Sequence, residues 1–299
     1  MKNNIRRYSI SERVSKVSTG GFSRIGDDIC DLMPDILQGK NFKEFVRIIR
    51  DIKGKKGFVA GFGAHLIKCG LSPIIIQMMK DGYITALATN GASLIHDFEI
   101  AYEGKTSEDV ENALKNGEFG MVDETCRILN SLFSLAAESN RPLSEVYGEH
   151  IEKHDYKYKS HSLFYQAYSL GLPVSFHIAI GTDIIHMHPE ARGEDIGKVS
   201  MAGFRMFTEN LKSIKDGGVY LNIGSAVIMP EVFLKALSLI RNLDRDFGGF
   251  TTAVFDFNTH YRPMQNVINR PGGLGARGFY FIGHHEIMLP LLYFLLDRV

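Results

Sequence analysis

GFVAGFGAHLIKCGLSPIIIQMMKDGYITALATNGA, residues 57–92, decides the fold. Gly57–Gly63 is a short apolar run closed by glycines. His65–Met79 then has helical spacing, with Pro73 inside it or at a helix start. Ile84–Ala88 is a β-type run that ends in the turn Thr89-Asn90-Gly91-Ala92. Strand, glycine turn, helix and strand form a parallel βαβ unit, because parallel neighbours need a crossover connection.

The pattern recurs. Pro173–Ile180 is a strand ending in Gly181-Thr182-Asp183, and Val219–Ile223 one ending in Gly224-Ser225 before a helix over Pro230–Arg241. Thr252–Phe257 ends in Asn258-Thr259-His260. Gly278–Ile282 ends in Gly283-His284-His285, before a last helix over Glu286–Leu296. The strands are almost continuously apolar, as in a parallel sheet covered on both faces. The expected fold is α/β: a Rossmann-like, doubly wound, mostly parallel sheet with helices on both faces. Residues 57–299 form one such domain. Residues 1–56 form a helical decoration, with two helices between Ile29 and Ile52 broken near Gly39.

Composition narrows the function classes. Lys+Arg and Asp+Glu are both 34, so there is no basic footprint for nucleic acid. The three cysteines, Cys30, Cys69 and Cys126, form no CxxC pair, which speaks against a zinc ribbon or a disulfide framework and suits a reducing cytoplasm. No apolar run reaches the length of a membrane span, and MKNNIRRYSISERV has no apolar region after its positive charges. A cytoplasmic protein acting on a small molecule is expected.

Ligands of such a sheet bind outside the carboxyl ends of its strands. Here those ends carry Gly61, Gly63, Thr89, Asn90, Gly91, Gly181, Thr182, Asp183, Gly224, Ser225, Asn258, Thr259, Gly283 and His284. Small residues let backbone N–H groups approach a phosphate. Histidine is the second signal. His186-Met-His188 places two imidazoles on one face of an extended segment, with Asp183 and His96-Asp97 as nearby carboxylates. No HExxH or other trusted metal-ligand spacing is present, so no metal is expected. Third, Arg262–Arg277 reads as a long loop without helical or strand period. Its Arg270 and Arg277 suit an anionic group of a substrate.

Four stretches together resemble deoxyhypusine synthase. They are GFGAHLIKCG with its continuation to Tyr102-Glu103-Gly104, then Leu172-Pro173-Val174 with GTDIIHM, then GGVYLNIGSAV, and finally the pair FDFNTH and GHHEIMLPLL. They cover residues 57–299 discontinuously. The resemblance implies a Rossmann-like NAD-binding domain, a homotetramer with sites at a dimer interface, and polyamine-related transferase chemistry through a lysine imine. It places Gly61, Thr89, Asn90, Gly91, Gly224, Ser225, Asn258, Thr259 and His284 around NAD, with Phe62, Gly63 and His285 beside them. The chain departs from the family where the imine would form. Its last lysine is Lys235, it has no tryptophan, and Val227-Ile228-Met229-Pro230 stands where the family has a His-His pair. Of the family's polyamine-binding acids, only Asp183 has a near counterpart.

Three readings follow. The first is an NAD-dependent enzyme on a small amine or related metabolite, without the lysine imine. His186 and His188 are its bases, Asp183 or Asp97 orients them, and Arg270 or Arg277 holds an anionic group. The second is a metal-dependent hydrolase or lyase using His96, His186, His188 and His284. The third is a non-catalytic nucleotide-binding protein. The resemblance and the apolar C-terminal helix MLPLLYFLL point to a homo-oligomer.

Overall fold

Six apolar segments form one sheet: β1 Phe58–Phe62, β2 Ala86–Asn90, β3 Val174–His177, β4 Val219–Ile223, β5 Thr251–Asp256 and β6 Arg277–Ile282. Every neighbouring pair is parallel, and the order is β3-β2-β1-β4-β5-β6. The order reverses between β1 and β4, the switch point of a Rossmann-like sheet. The computed structural model describes residues 7–15, 17–26 and 29–296. Residues 1–6, on which the reading of the N-terminal segment partly rests, lie outside them.

Among the described residues two α-helices precede the sheet, α1 Ile29–Leu32 and α2 Leu37–Ile52. β1 leads through α3 His65–Lys68 and α4 Ser72–Lys80 to β2. The β2–β3 connection is long: α5 Gly91–Glu103, α6 Val110–Lys115, α7 Asp123–Ser139, α8 Leu143–His154 and α9 Leu163–Ser169. α10 Gly193–Leu211 leads to β4 and α11 Ile228–Leu243 to β5. A π-helical stretch, Pro263–Asn269, and α12 Arg270–Gly272 lead to β6, and α13 His285–Leu296 closes the chain. Among the described residues no helix is long and apolar enough to cross a membrane.

Alternation along the strands builds two cores. Phe58, Ala60 and Phe62 of β1, Val219, Leu221 and Ile223 of β4, and Phe255, Phe279 and Phe281 face α2, α4, α5 and α13. Val59, Tyr220 and Val254 face α10, α11 and the π-helical stretch. Because both faces are covered, β1 to β5 are buried at almost every position. On the second face the Tyr220 ring stacks on Phe233, centroids 4.1 Å apart.

Three expectations change. The break between the first two helices lies at residues 33–36, and Gly39 is inside α2, where a Cβ would come 2.4 Å from the Pro34 carbonyl oxygen. α2 is also more than a decoration. Phe42 and Phe45 are buried against Phe255, Phe279 and Phe281, with ring centroids 5.1–6.0 Å apart, so the helix supplies part of the core. The segment 262–277 is not an open loop. It is the β5–β6 crossover, and Val267 is buried in the second core. Proline at its start and at α12 hides its helical character from a reading of periodicity.

Removing a fully buried ring leaves a cavity as well as lost transfer energy. Phe45→Ala is therefore expected to lower stability by about 3–5 kcal/mol in urea denaturation. A loss below about 1 kcal/mol would return α2 to the surface.

Candidate functional site at the carboxyl ends of the strands

The strand-end glycines serve different ends. Gly61 is inside β1, and a Cβ there would come 2.4 Å from the Tyr220 hydroxyl. Its small size is a packing requirement of Tyr220. Phe62 is fully buried against Phe164 and faces the core. Gly63 and Gly224 meet at the switch point, where a Cβ on Gly63 would lie 2.5 Å from the Gly224 carbonyl oxygen. Gly224 has φ +55°, a left-handed conformation that favours glycine. Gly91 opens α5, and a Cβ there would lie 2.0 Å from Asp183 Oδ2.

The polar residues of these turns mainly organise the turns. The Thr89 hydroxyl donates to the Phe62 carbonyl (2.9 Å). Asn90 caps α5 by accepting from the Ser93 N–H (3.1 Å). The Ser225 hydroxyl accepts from the Met229 N–H (3.2 Å). Asn258 and Thr259 lie in the exposed turn after β5, where the Asn258 carbonyl accepts from the Tyr280 hydroxyl. The amides of Ser225, Ala226 and Val227 donate to no protein acceptor among the described residues. They stand at the start of α11, a setting suited to a phosphate.

His284 is exposed, whereas His285 is 1% exposed. The His285 ring reaches across to Gly224 and lies 5.7 Å from the His65 ring. Neither of its nitrogens has a partner, and burial lowers its pKa.

The five expected catalytic positions part company. Asp97 is turned away from the strand ends. It is fully buried between α5, α8 and α9, where it accepts from the Tyr147 hydroxyl (2.8 Å), the Ser162 hydroxyl (2.5 Å) and the Leu163 N–H (2.6 Å). Burial pushes it up to about 6. It clamps three helices and touches no histidine of the set. His188 shares its Nε2 proton with the Gly120 carbonyl (2.9 Å) and ties two loops together.

His186 Nδ1 accepts from the N–H groups of Gly181 (3.1 Å) and Asp183 (3.3 Å). The proton of the neutral ring therefore sits on Nε2. That nitrogen is buried, 3.9 Å from Asp183 Oδ2, and neither atom has a hydrogen-bond partner. Burial lowers the His186 pKa and pushes Asp183 up to about 6. His186 has no free lone pair to accept a substrate proton.

His96 does. Its Nδ1 lies 2.6 Å from the Thr106 hydroxyl, which donates its single proton to Glu99 Oε2 (2.5 Å). Thr106 must then accept from His96, so Nδ1 carries the proton and Nε2 of the neutral ring keeps its lone pair. Burial alone would raise the Glu99 pKa, but the neighbouring His96 and the hydrogen bond from Thr106 hold it below the usual carboxylate range. His96 and Glu99 lie one turn apart on α5.

Both line a cavity of ≈ 220 Å³ with Lys68, Glu108, Thr182 and Asp183. It shares Glu99, Ser107, Glu108 and Val122 with a second cavity of ≈ 540 Å³, whose walls add Tyr102, Glu103 and Glu124. The joint lining carries five carboxylates against two lysines, Lys68 and Lys105, among otherwise largely apolar and neutral side chains. On the other side of the sheet, His177 and Ile178–Ile180 border a mostly apolar cleft of ≈ 330 Å³ between α10 and α11. Burial pushes His177 down to about 4, so it is neutral there.

The two arginines expected to hold an anion are elsewhere. Arg277 opens β6, at the amino end of the sheet, and pairs with Glu44 through both guanidinium NH2 groups. Arg270 follows the π-helical stretch on its way to that end and donates to Asn266 Oδ1 (2.5 Å). A crossover must return to the amino end before a parallel strand begins, so residues late in it leave the ligand side. Among the described residues no group of three His, Cys, Asp or Glu side chains is placed to hold a metal ion. Glu99, absent from the sequence-based set, had one signal: the His96-x-x-Glu99 spacing that puts both on one helix face.

No protein-family model matches the chain, and no curated protein matches it. Solved structures do. A conserved LOR/SDH-type protein from Methanococcus maripaludis S2, described as putative, is 17% identical with TM-score 0.54, over 87% of this chain and 69% of that one. AgrE, solved in a ternary complex with ornithine and NAD+, is 15% identical with TM-score 0.56, over 87% of this chain and 33% of AgrE. A putative deoxyhypusine synthase from Entamoeba histolytica is 12% identical with TM-score 0.53, over 89% and 92%. The chain thus spans about a third of AgrE. At these identities the similarity is one of fold.

Asp183 gives a pH test. Its folded-state pKa of about 6 lies above its ordinary value, so the folded protein binds more protons than the unfolded one between about pH 4 and 6. The penalty on stability is absent below about pH 4 and complete above about pH 6. Asp183→Asn removes it, while Asp97 titrates alike in both proteins. The variant is expected to gain on the order of 1–3 kcal/mol relative to wild type between pH 4 and 7. Denaturation curves at several pH values measure the difference. A flat difference would show that Asp183 is ionised freely in the folded state.

Proposed function

We propose that the chain is an NAD-dependent enzyme acting on a small amine. The observation that carries the reading is the hydrogen-bonded line His96–Thr106–Glu99 on the wall of a carboxylate-lined cavity at the strand ends. A cationic substrate is favoured where carboxylates are close and partly desolvated. The fold similarity to AgrE, which was solved with NAD+, supports the cofactor.

The residues present fit a dinucleotide in one respect. Gly224 and the free amides of Ser225, Ala226 and Val227 would hold its phosphates at the start of α11, and the adjacent apolar cleft would take a ring. Bound NAD would supply a hydride acceptor. The chain's own residues do the rest. Glu99 and Asp183 attract and orient the ammonium group. His96 Nε2 takes a proton from the amine, and the Glu99 carboxylate, one turn away on α5, stabilises the imidazolium that forms. With no lysine after Lys235, an imine on that part of the chain has no role in this scheme.

Calorimetric titration with NAD tests the cofactor. Val227 is half exposed at the start of α11, so Val227→Asp puts a negative charge beside the phosphates without disturbing the core. A carboxylate there also suits the helix dipole, which keeps the fold intact. NAD affinity is expected to fall at least about tenfold, a loss of ~1.4 kcal/mol. Equal binding by both proteins would place the nucleotide elsewhere.

The same reading includes a homo-oligomer in the cytoplasm. Phe257, Tyr261, Ile282 and Ile287 are more than half exposed near the carboxyl ends of β5 and β6, a set that supports association. Light scattering should give a mass above that of one chain; a monomer would remove this part of the proposal.

A further inference from the structure

The segment between Gly104 and Gly120 covers both carboxylate-lined cavities. Lys105, Thr106, Ser107 and Glu108 belong to the wall of the larger one, and Ser107, Glu108, Val110 and Phe119 to that of the smaller. None of residues 105–119 is buried, and α6 contributes no buried side chain. Its ends are pinned. Gly104 has φ +75° and lies so close to Tyr158 that a Cβ would come 2.9 Å from the ring. Gly120 has φ +74° and presses on Ile184 in the same way. Between these points Ser107 holds φ +72°, unusual for a side chain with a Cβ.

The middle of the segment is fastened to the body mainly through Thr106. Its hydroxyl donates to Glu99 Oε2 and accepts from His96 Nδ1. The second polar link, Glu108 to the Gly120 N–H, stays within the segment. Thr106 therefore occupies the carboxylate oxygen that an incoming ammonium group would take. Asp183 supplies the independent sign of a ligand. It lines the same cavity, is 7% exposed, and its Oδ2 has no partner. Lys68, on the same wall, forms no ion pair among the described residues and leaves the other end open to an anionic substituent.

We propose that residues 105–119 form an autoinhibitory lid, latched by Thr106 onto Glu99, and that a substrate's primary ammonium group displaces the latch to bind Glu99. This rests on the amine reading above and assigns to Glu99 the selection of the cation. The exchange is of hydrogen bonds only: one O–H donor leaves Oε2 and one N–H donor replaces it. The charged donor makes the stronger bond to a carboxylate, which drives the exchange.

The latch and the ligand compete for one oxygen, so substitutions at the two residues have opposite effects. The test is calorimetric titration of the full chain at pH 7 with 1,4-diaminobutane, with butyrate as the anionic control. Thr106→Val keeps the side chain's shape and removes the competing donor. It should tighten diaminobutane binding about tenfold and speed hydrogen exchange across 105–119 without changing exchange in β1 and β2. Thr106→Ser keeps the hydroxyl and should match wild type. Glu99→Gln should weaken binding at least tenfold. Butyrate should show none of these changes.

Weaker or unchanged binding in Thr106→Val, or unchanged binding in Glu99→Gln, would overturn the proposal. None of these readouts needs NAD or turnover. If the latch behaves as expected while NAD fails to bind, the lid stands and the enzyme reading falls. If NAD binds and an amine turns over with KM unchanged in Glu99→Gln, the enzyme reading stands and the lid falls.

Discussion

The contact of Gly63 with Gly224 is the constraint on which the site depends. β1 and β4 are neighbours in the sheet but distant in the chain, and their turns diverge from a point where a Cβ on Gly63 would strike a carbonyl oxygen. Because the two glycines allow that approach, the chain can leave β1 toward one edge of the sheet and leave β4 toward the other. His285 leans over Gly224 from the far side of β5, and its ring fills the space a side chain would have taken. Small residues at these turns thus serve close packing first. The free amides at the start of α11 are a consequence of the same tight turn.

Burial decides which ionisable groups can do chemistry. Asp97 and Asp183 are both pushed up to about 6 by desolvation, yet their surroundings differ. Asp97 is saturated with three donors and holds α5, α8 and α9 together. Asp183 keeps an oxygen without a partner beside a cavity. The histidines divide on a similar principle. Two backbone N–H groups take the lone pair of His186, and a carbonyl takes the proton of His188. His96 is bonded only at Nδ1, so its other nitrogen is free to face the cavity.

A cavity wall of carboxylates is unfavourable for an empty site, since like charges repel and each is partly desolvated. The chain relieves this internally. His96 donates to Thr106, Thr106 donates to Glu99, and the Gly120 N–H donates to Glu108. The relief comes from a segment with no buried side chain, so it can be withdrawn without disturbing either core. Lid, latch and charge selection are then one arrangement. The substrate's positive charge replaces the hydroxyl that stabilises Glu99 in its absence.

By itself the sequence determined the sheet. Six apolar runs ending in small residues, at spacings that leave room for crossovers, allow few arrangements other than a parallel sheet covered on both faces. The βαβ unit at residues 57–92 and the strands at β4, β5 and β6 were legible for that reason, and so was the ligand side. Only the tertiary structure decided the site. Periodicity tells which face of an element is apolar; it does not tell which polar groups from distant turns meet. Gly61 reads like a phosphate-loop glycine but makes room for Tyr220, and Arg277 reads like an anion binder but begins a strand at the other end. Glu99 and Thr106 are seven residues apart with no motif between them. They meet because Gly104 turns the backbone sharply after α5, and that turn directs the segment back over the helix.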